Sequence, residues 1–319
     1  DWSSDVCSSD LGAFMRIQLY LLSILFFLSA CVTTPPAPAG KIIEYEKQIG
    51  IWHQTRNERL NQPTGWLTLS GLFWLENGDN LFGSDIENDL VYPGESVPDY
   101  MGVLHLEGDS VSINVADGIH IFLHDSLITK SDLKKDSDGE PDILTWDNLS
   151  WYIIQRGDRV GVRLRDSQHP NYVNFVPTEL FPIDSSWRVP ATLETFDTLR
   201  TVDIVNVLGD TSPGSTPGIL HFEINGKALR LTPLADPGDE NYFIIFGDAT
   251  NGLSTYGAGR FLVIPAVDKD GKTFIDFNKS YNMPCAFSPY ATCPLPPEEN
   301  QLTIAIKAGE LDYKIEGGH

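Results

Sequence analysis

The sequence predicts a mainly β protein, in which two β-sandwich or barrel-like halves follow one amphipathic helix near the N-terminus. Three observations lead to this fold class. Short aromatic and β-branched segments recur through most of the chain, and Gly, Pro, Asn and Asp separate them. A single stretch near the start has apolar residues at helical spacing. Hydrophobic residues make up 41 % of the 319 positions, which is enough to form a core.

The first thirty residues are predicted to be a leader that does not belong to the fold. Residues 1–14 (DWSSDVCSSDLGAF) have no apolar period and resemble translated adapter sequence, so we expect Met15 to be the true start. The apolar run Leu19–Leu28 is too short for a membrane-spanning helix, which takes roughly 20 residues. Residues 15–30 therefore predict a signal peptide.

The segment Leu28-Ser29-Ala30-Cys31 resembles the lipobox of bacterial lipoproteins. In that motif small residues expose the backbone to the signal peptidase, and the thiol accepts the lipid. We therefore expect a lipid anchor at Cys31, with palmitate as the diagnostic label. Val32 in place of aspartate favours the outer membrane over the inner one, and residues 31–40 form a tether rich in Pro and Ala. These features predict an exported lipoprotein of the bacterial cell envelope.

The chain is strongly acidic, with 44 Asp and Glu against 22 Lys and Arg and a net charge of −22. Such a surface repels a phosphate backbone, so nucleic acid is not an expected partner. The expected partners are the membrane, through the lipid, and a small-molecule ligand. The sequence lacks a G-x-S-x-G elbow, an H-E-x-x-H helix and a P-loop, so we predict neither a cofactor nor a metal site.

The helix is predicted over residues 41–63, and Pro63 ends it. Its apolar side chains fall near one face: Ile42, Tyr45, Ile49, Trp52 and Leu60. Residues 64–190 and 191–319 form the two β-rich halves, divided where FPIDSSWRVPA interrupts the strand pattern. Asn225-Gly226 predicts a hairpin, because both turn residues accept a positive φ, and Asp270-Gly271 predicts a second hairpin between RFLVIP and TFIDF.

The first half resembles the forkhead-associated β-sandwiches in its strand order. The segments GLFWLENGDNLFGSDIENDLVYP and LTWDNLSWYIIQR carry this resemblance. Those domains bind phosphothreonine through an arginine that follows a glycine and through a serine and histidine pair. Here Ser84 follows Gly83, and no histidine follows Ser96 at the expected spacing. The resemblance therefore implies the fold without its binding chemistry.

Three blocks between Glu44 and Glu310 resemble a bacterial family called domain of unknown function 1684. They are GWLTLSGLFWLENGDNLFGS, FGDATNGLSTYGAGRFL and DFNKSYNMPCAFSPYATCPLPPEENQL. Arg56 and Arg59 precede the first block, and KAGE follows the third. Met283 stands where the family usually has proline, and Gln301 where it usually has arginine. The family name states that no activity accompanies the resemblance.

The third block holds the candidate site. Alternation along its first residues places Asp276 and Asn278 on one face, with Arg260 one strand away. We expect a small ligand or a partner to bind the Asp276–Asn300 region. The candidate ligand-binding residues are Asn278, Asn282, Tyr290 and Asn300.

Two alternatives use the same residues. In the first, the protein is an envelope hydrolase in which Asp276 is the general base, Arg260 holds an anion and Tyr281 polarises the substrate. In the second, the residues are structural: Asp276 and Arg260 form a cross-strand ion pair, and Asn300 caps a turn. An enzyme requires Asp276, Arg260 and Tyr281 to converge in one pocket.

Cys285 and Cys293 are predicted to form a disulfide. An exported chain meets an oxidising compartment, where an even pair of cysteines usually pairs. Zinc is a weaker interpretation, because no histidine lies near and the spacing is not C-x-x-C.

Overall fold

The computed structural model describes residues 39–314. The predicted adapter sequence, the signal peptide, Cys31 and the tether up to residue 38 lie outside the described residues. Helix α1 (Ala39–Leu60) precedes the two halves. The first half, which in the structure ends with β11, contains β1 (Leu69–Trp74), β2 (Gly78–Gly83), β3 (Leu90–Val91), β4 (Gly102–Glu107), β5 (Ser110–Val115), β6 (Ile121–Leu123), β7 (Ser126–Ile128), β8 (Lys130–Leu133), β9 (Leu144–Trp146), β10 (Leu149–Arg156) and β11 (Arg159–Asp166). The second half contains α2 (Pro170–Val173), β12 (Arg188–Val205), β13 (Thr211–Ile224), β14 (Lys227–Leu231), β15 (Asn241–Phe246), β16 (Arg260–Pro265), β17 (Lys272–Asp276) and β18 (Tyr281–Asn282).

The first half consists of two sheets with one core between them. One sheet has the order β1-β11-β10-β9-β6-β7, and the other has the order β3-β2-β4-β5-β8. Both contribute buried side chains to the same cluster, among them Trp151 from the first sheet and Phe82 from the second. Tyr92 packs against both rings, at centroid distances of 5.5 Å. The prediction of a mainly β fold is confirmed, and a shared core between two sheets is the arrangement of a sandwich.

The second half also contains two sheets, in the orders β14-β13-β12-β17 and β15-β16-β18. Inward residues alternate along β12, where Val189, Ala191 and Leu193 are buried while their neighbours are exposed. Ile275 of β17 and Leu262 of β16 complete the same core from the two sheets. The outward residues of β12 and β17 are therefore free to form a surface feature.

One of the two predicted hairpins is confirmed. Asn225 and Gly226 have φ values of 51° and 76°, and β13 pairs with β14 from Ile224↔Lys227 onward. The second prediction was wrong. Gly271 does lie in a turn, with φ at 73°, but β17 pairs with β12 and not with β16. Residues 266–271 separate the two strands, and a loop of that length does not fix strand pairing as a two-residue turn does.

The predicted boundary between residues 190 and 191 falls inside β12. Proline lacks a backbone N–H and is therefore unfavourable inside a strand that is paired on both sides. At Pro190, however, β12 pairs with Phe274 of β17, and the ladder with β13 begins only at Ala191. Proline is tolerated near the start of this strand because no β13 partner lies opposite it.

Helix α1 packs on the second half through the predicted face. Ile49 and Leu60 are buried, and Tyr45 is half-buried. The tail of the helix joins a small cluster with Ala286 and Phe287. The prediction of an N-terminal amphipathic helix is confirmed. Of the helices in residues 39–314, none has the length and apolar character needed to cross a bilayer.

A fully buried carboxylate holds the C-terminal part of α1. The side chain of Glu310 is 0 % exposed and receives Arg56 Nε at 3.3 Å and the amide of Asn282 at 2.7 Å. Thr178 donates its hydroxyl to the same carboxylate at 3.2 Å and contacts the ring of His53 at 2.8 Å. One cation from the helix thus compensates a charge contributed by the far end of the chain.

We expect the thermal stability of the protein to fall as the pH drops below about 6.5. Burial lowers the pKa of His53 below its ordinary value, so the unfolded chain binds more protons than the folded chain in that range. Between about pH 7.5 and 5.5, the melting temperature of His53→Gln should therefore decrease less than that of the wild type. Differential scanning fluorimetry measures both.

His169→Gln provides a second variant, because burial also lowers the pKa of His169. It should reduce the pH dependence in the same direction. If the melting temperatures of the wild type and the two variants change in parallel with pH, the assignment to these histidines is wrong.

Candidate functional site

A groove opens on the outer surface of the second half, between β16 and the β12–β17 pair. Its volume is about 740 Å³. The groove exists because β17 joins β12 in one sheet while β16 belongs to the other. A single side-chain hydrogen bond, from the Thr273 hydroxyl to the Pro265 carbonyl at 2.8 Å, bridges the two strands at its side. The separation of the strands leaves room for a ligand.

The floor of the groove is built by strand register. β12 and β17 run antiparallel, so Arg188 lies opposite Asp276 and Pro190 lies opposite Phe274. Side chains opposite each other on one face are neighbours, and alternate residues such as Ile275 point into the core. The guanidinium of Arg188 stacks over the Phe274 ring at 4.3 Å. The groove therefore has a polar end at Arg188 and Asp276 and an apolar middle at Pro190 and Phe274.

Asp276 lies in the wall of this groove and is fixed from behind by α1. The Tyr45 hydroxyl donates to Asp276 Oδ1 at 2.7 Å, and the amide of Asn278 donates to the same oxygen at 3.3 Å. Burial raises the pKa of Tyr45, and the hydrogen bond to Asp276 raises it further, so the phenol stays a donor. Asp276 therefore borders a cavity.

The three asparagines predicted to bind ligand are instead structural. Asn278, Asn282 and Asn300 are each 2 % exposed or less. Asn278 bonds the backbone of Asp184, Asn282 donates to the Leu311 carbonyl at 2.7 Å, and Asn300 bonds the Thr232 amide and carbonyl. Their amides satisfy the backbone of irregular segments, as buried backbone groups require. These three assignments were wrong.

Among the described residues Arg260 forms no ion pair with Asp276, so the cross-strand pair considered for them was wrong. Arg260 is 0 % exposed and donates to Asp248 Oδ2 at 2.6 Å, to the Ile306 carbonyl at 2.9 Å and to the Ala308 carbonyl. Asp248 in turn accepts the Ile306 amide at 3.1 Å. The buried pair ties β16 to the C-terminal segment, and nothing in the described chain joins it to Asp276.

The two candidate tyrosines, Tyr281 and Tyr290, pack against residues other than Asp276. Tyr281 lies edge-on to Phe261 at 5.8 Å, and the guanidinium of Arg56 covers its ring at 4.8 Å. Tyr290 is half-buried and packs in the same small hydrophobic cluster as Tyr281 and Phe261. The structure does not assemble Asp276, Arg260 and Tyr281 into the arrangement that the hydrolase alternative needs.

Cys285 and Cys293 are both free and buried, which corrects the predicted disulfide. The amide of Cys285 donates to Cys293 Sγ at 2.9 Å, and its own thiol donates to the Ala291 carbonyl at 3.4 Å. A hydrogen bond between the two sulfurs lowers the pKa of Cys285 and raises that of Cys293. Each sulfur is thus held by a hydrogen bond and not by a covalent bridge.

The sequence reasoning missed four residues that organise this region: Tyr45, Arg56, Asp248 and Glu310. Asp248 and Glu310 do carry a signal, because each is a lone acid beside apolar or small residues, in FGDA and KAGE. Asp248 lies only 12 residues from its partner Arg260, whereas Glu310 lies 254 residues from Arg56, so the pairing of Glu310 was not readable from spacing. Within residues 39–314, the structure contains no group of three His, Cys, Asp or Glu side chains placed to hold a metal ion.

Residues 173–311 match the model of a family described as "Protein of unknown function (DUF1684)". This part of the chain belongs to the family. The match is shorter than the Glu44–Glu310 resemblance, and it leaves out α1 and the whole first half. It includes Asp276 and Glu310, but not their partners Tyr45 and Arg56. No curated protein shows significant similarity to this DUF1684 chain.

Solved structures provide two likenesses. An uncharacterised protein of Haloarcula marismortui, solved by solution NMR, is 30 % identical over 44 % of this chain and 80 % of its own, with a TM-score of 0.38. A forkhead-associated domain studied for phosphothreonine-dependent interactions is 12 % identical over 30 % of this chain and 92 % of its own, with a TM-score of 0.21. Such a TM-score does not establish a shared fold, so the forkhead-associated interpretation of residues 64–190 stays a prediction.

Removing one partner of the buried Arg260–Asp248 pair should destabilise this DUF1684 protein by about 3–5 kcal/mol, because the other charge stays buried without compensation. Arg260→Met and Asp248→Ala are suitable variants. Chemical denaturation with urea, followed by far-UV circular dichroism, measures the free energy of unfolding.

Arg156→Met is the matched control, because its pair with Asp136 has side chains that are 30 % and 20 % exposed. It should cost about 1 kcal/mol. Equal losses in Arg156→Met and Arg260→Met would contradict a special role for the buried pair.

Proposed function

We propose that the protein is an exported lipoprotein of the cell envelope that binds a small molecule in the groove beside Asp276. The groove itself carries this proposal. Its volume of about 740 Å³ lies inside the range of roughly 300–1,000 Å³ typical of small-ligand sites. Its lining combines apolar side chains with a few charged ones, which is the composition of such sites.

Two properties of the groove favour binding over a purely structural surface. Phe274 and Val263 are 45 % and 44 % exposed there, and apolar area in water costs about 25 cal/mol per Å². A ligand that covers them recovers that free energy. Asp276 is held by Tyr45 and by the Asn278 amide, so this part of the wall is positioned before any ligand arrives.

The leader sequence supports the envelope location. The short apolar run, the LSAC motif and the Pro/Ala tether occur in the order that export and lipid attachment require. Acyl chains on Cys31 would supply membrane affinity of about 0.8 kcal/mol per buried methylene. The segment after Cys31 has the Pro/Ala-rich composition of a spacer between an anchor and a domain.

The uncharged fluorophore N-phenyl-1-naphthylamine tests the groove without prejudging the ligand's charge. We expect its fluorescence to rise on binding to the wild-type protein. Val263→Trp places a large ring in the groove and should weaken this binding about tenfold, or about 1.4 kcal/mol. Fluorescence titration measures both dissociation constants.

Leu127→Trp is the control, because Leu127 is an exposed apolar residue of β7 in the first half. It should bind the fluorophore as the wild type does. Undiminished binding to Val263→Trp would show that the fluorophore sits elsewhere, and an absence of any binding would reject the proposed site.

The lipid anchor has a separate test. Cells producing Cys31→Ala should no longer incorporate labelled palmitate into the protein, because the acceptor thiol is gone. Cys285→Ala should keep the label, since its thiol is buried in the folded part. Label that persists in Cys31→Ala would reject the anchor.

A further inference from the structure

The groove differs in charge from the rest of the protein. The chain has twice as many acidic as basic residues, 44 against 22. The groove has the opposite balance, with Arg188, Lys272 and Lys279 against Asp268 and Asp276. A local reversal of charge within an acidic protein creates a field that attracts anions to that place.

The three cations of the groove are uncompensated. Elsewhere Arg56, Arg260 and Lys135 each form an ion pair. In the part of the chain from 39 to 314, Arg188, Lys272 and Lys279 form none. Their charges are therefore available to a ligand.

The two carboxylates of the groove are occupied by their own surroundings. Asp268 Oδ1 accepts the amides of Asp270 and Lys272, both at 2.9 Å, and so closes the turn before β17. Asp276 Oδ1 accepts the Tyr45 hydroxyl and the Asn278 amide. These hydrogen bonds hold one oxygen of each carboxylate in place, and the three cations of the groove still outnumber its two acids.

The charges and the apolar surface have a definite order along the groove. Arg188 stands at the Asp276 end, and half-buried Lys279 follows Asp276 by three residues. Phe274 and Pro190 come next, with Val263 exposed on the facing strand. At the other end, Lys272 lies beside the acid Asp268. The Asp276 end is therefore the more cationic one, and an apolar surface leads away from it.

We propose that the groove binds an anionic amphiphile: a carboxylate, sulfate or phosphate head joined to an alkyl or aromatic body. The head lies between Arg188 and Lys279, and the body lies along Phe274, Pro190 and Val263. Stacking on Phe274 limits the motion of Arg188, so its guanidinium is ready for a planar carboxylate or a phosphate. This inference rests on the proposed function and names the ligand class for the same site.

Three probes with one alkyl chain and different heads test the class: decanoate, decyl maltoside and decyltrimethylammonium. Isothermal titration calorimetry of the full chain, below the micellar threshold of each probe, gives their affinities. We expect decanoate to bind at least about tenfold more tightly than decyltrimethylammonium, with decyl maltoside between them. Added salt should weaken decanoate binding, because the pairing is electrostatic.

The double variant Arg188→Gln/Lys279→Gln locates the head. It should lose about tenfold in decanoate affinity and a smaller factor in affinity for N-phenyl-1-naphthylamine, which carries no charge. Lys130→Gln, a single exposed lysine of β8 in the first half, should bind decanoate as the wild type does. The variants remove surface charge from exposed or half-buried positions, so the melting temperature confirms that each is folded.

The outcomes separate the two proposals. If the fluorophore binds but decanoate binds no better than decyltrimethylammonium, the ligand class is wrong and the binding groove stands. If decanoate binds the double variant as tightly as the wild type, the head does not lie at Arg188 and Lys279. If neither the fluorophore nor decanoate binds, both proposals fail.

Discussion

The arrangement of the second half depends on a charge that water cannot reach. The carboxylate of Glu310 must be neutralised by other groups of the protein. Arg56 of α1 and the amide of Asn282 do so, and the desolvation cost of the ion would otherwise amount to several kcal/mol. This requirement fixes helix, strand β18 and C-terminal segment to one another. Because α1 is fixed, Tyr45 is placed against Asp276, and the end wall of the groove depends on that contact.

The groove is a consequence of how strands are shared between sheets. β17 follows β16 in the chain but takes β12 as its partner, so the outward faces of the two strands are not joined by a ladder. The inward faces still meet in one core through Ile275 and Leu262. A closed interior beneath an open surface gives a binding surface whose shape does not depend on the ligand, which lowers the cost of binding.

The fold was more predictable than the site, for a physical reason. Helix periodicity and the Asn225-Gly226 turn are local, since they depend on residues a few positions apart. Asp276 and Arg260 looked like partners because their strands are close in sequence, yet Asp276 bonds Tyr45, 231 residues away, and Arg260 pairs with Asp248 in the segment before β16. Polar residues packed into a Pro-rich stretch suggested a ligand, but Asn300 bonds backbone. Long-range pairing decides such roles, and spacing does not report it.

Because Glu310 depends on Arg56, the boundary of the family match is not the boundary of the folding unit. The family match begins at residue 173, after α1, β1 and the rest of the first half. Leu69 of β1 belongs to the small core around Met283, so the first half too supports the matched segment. The stretch that is recognisable as a family member is therefore not a self-sufficient folding unit. A gene fragment trimmed to that stretch would encode an acid without its counter-charge and a core with one side open.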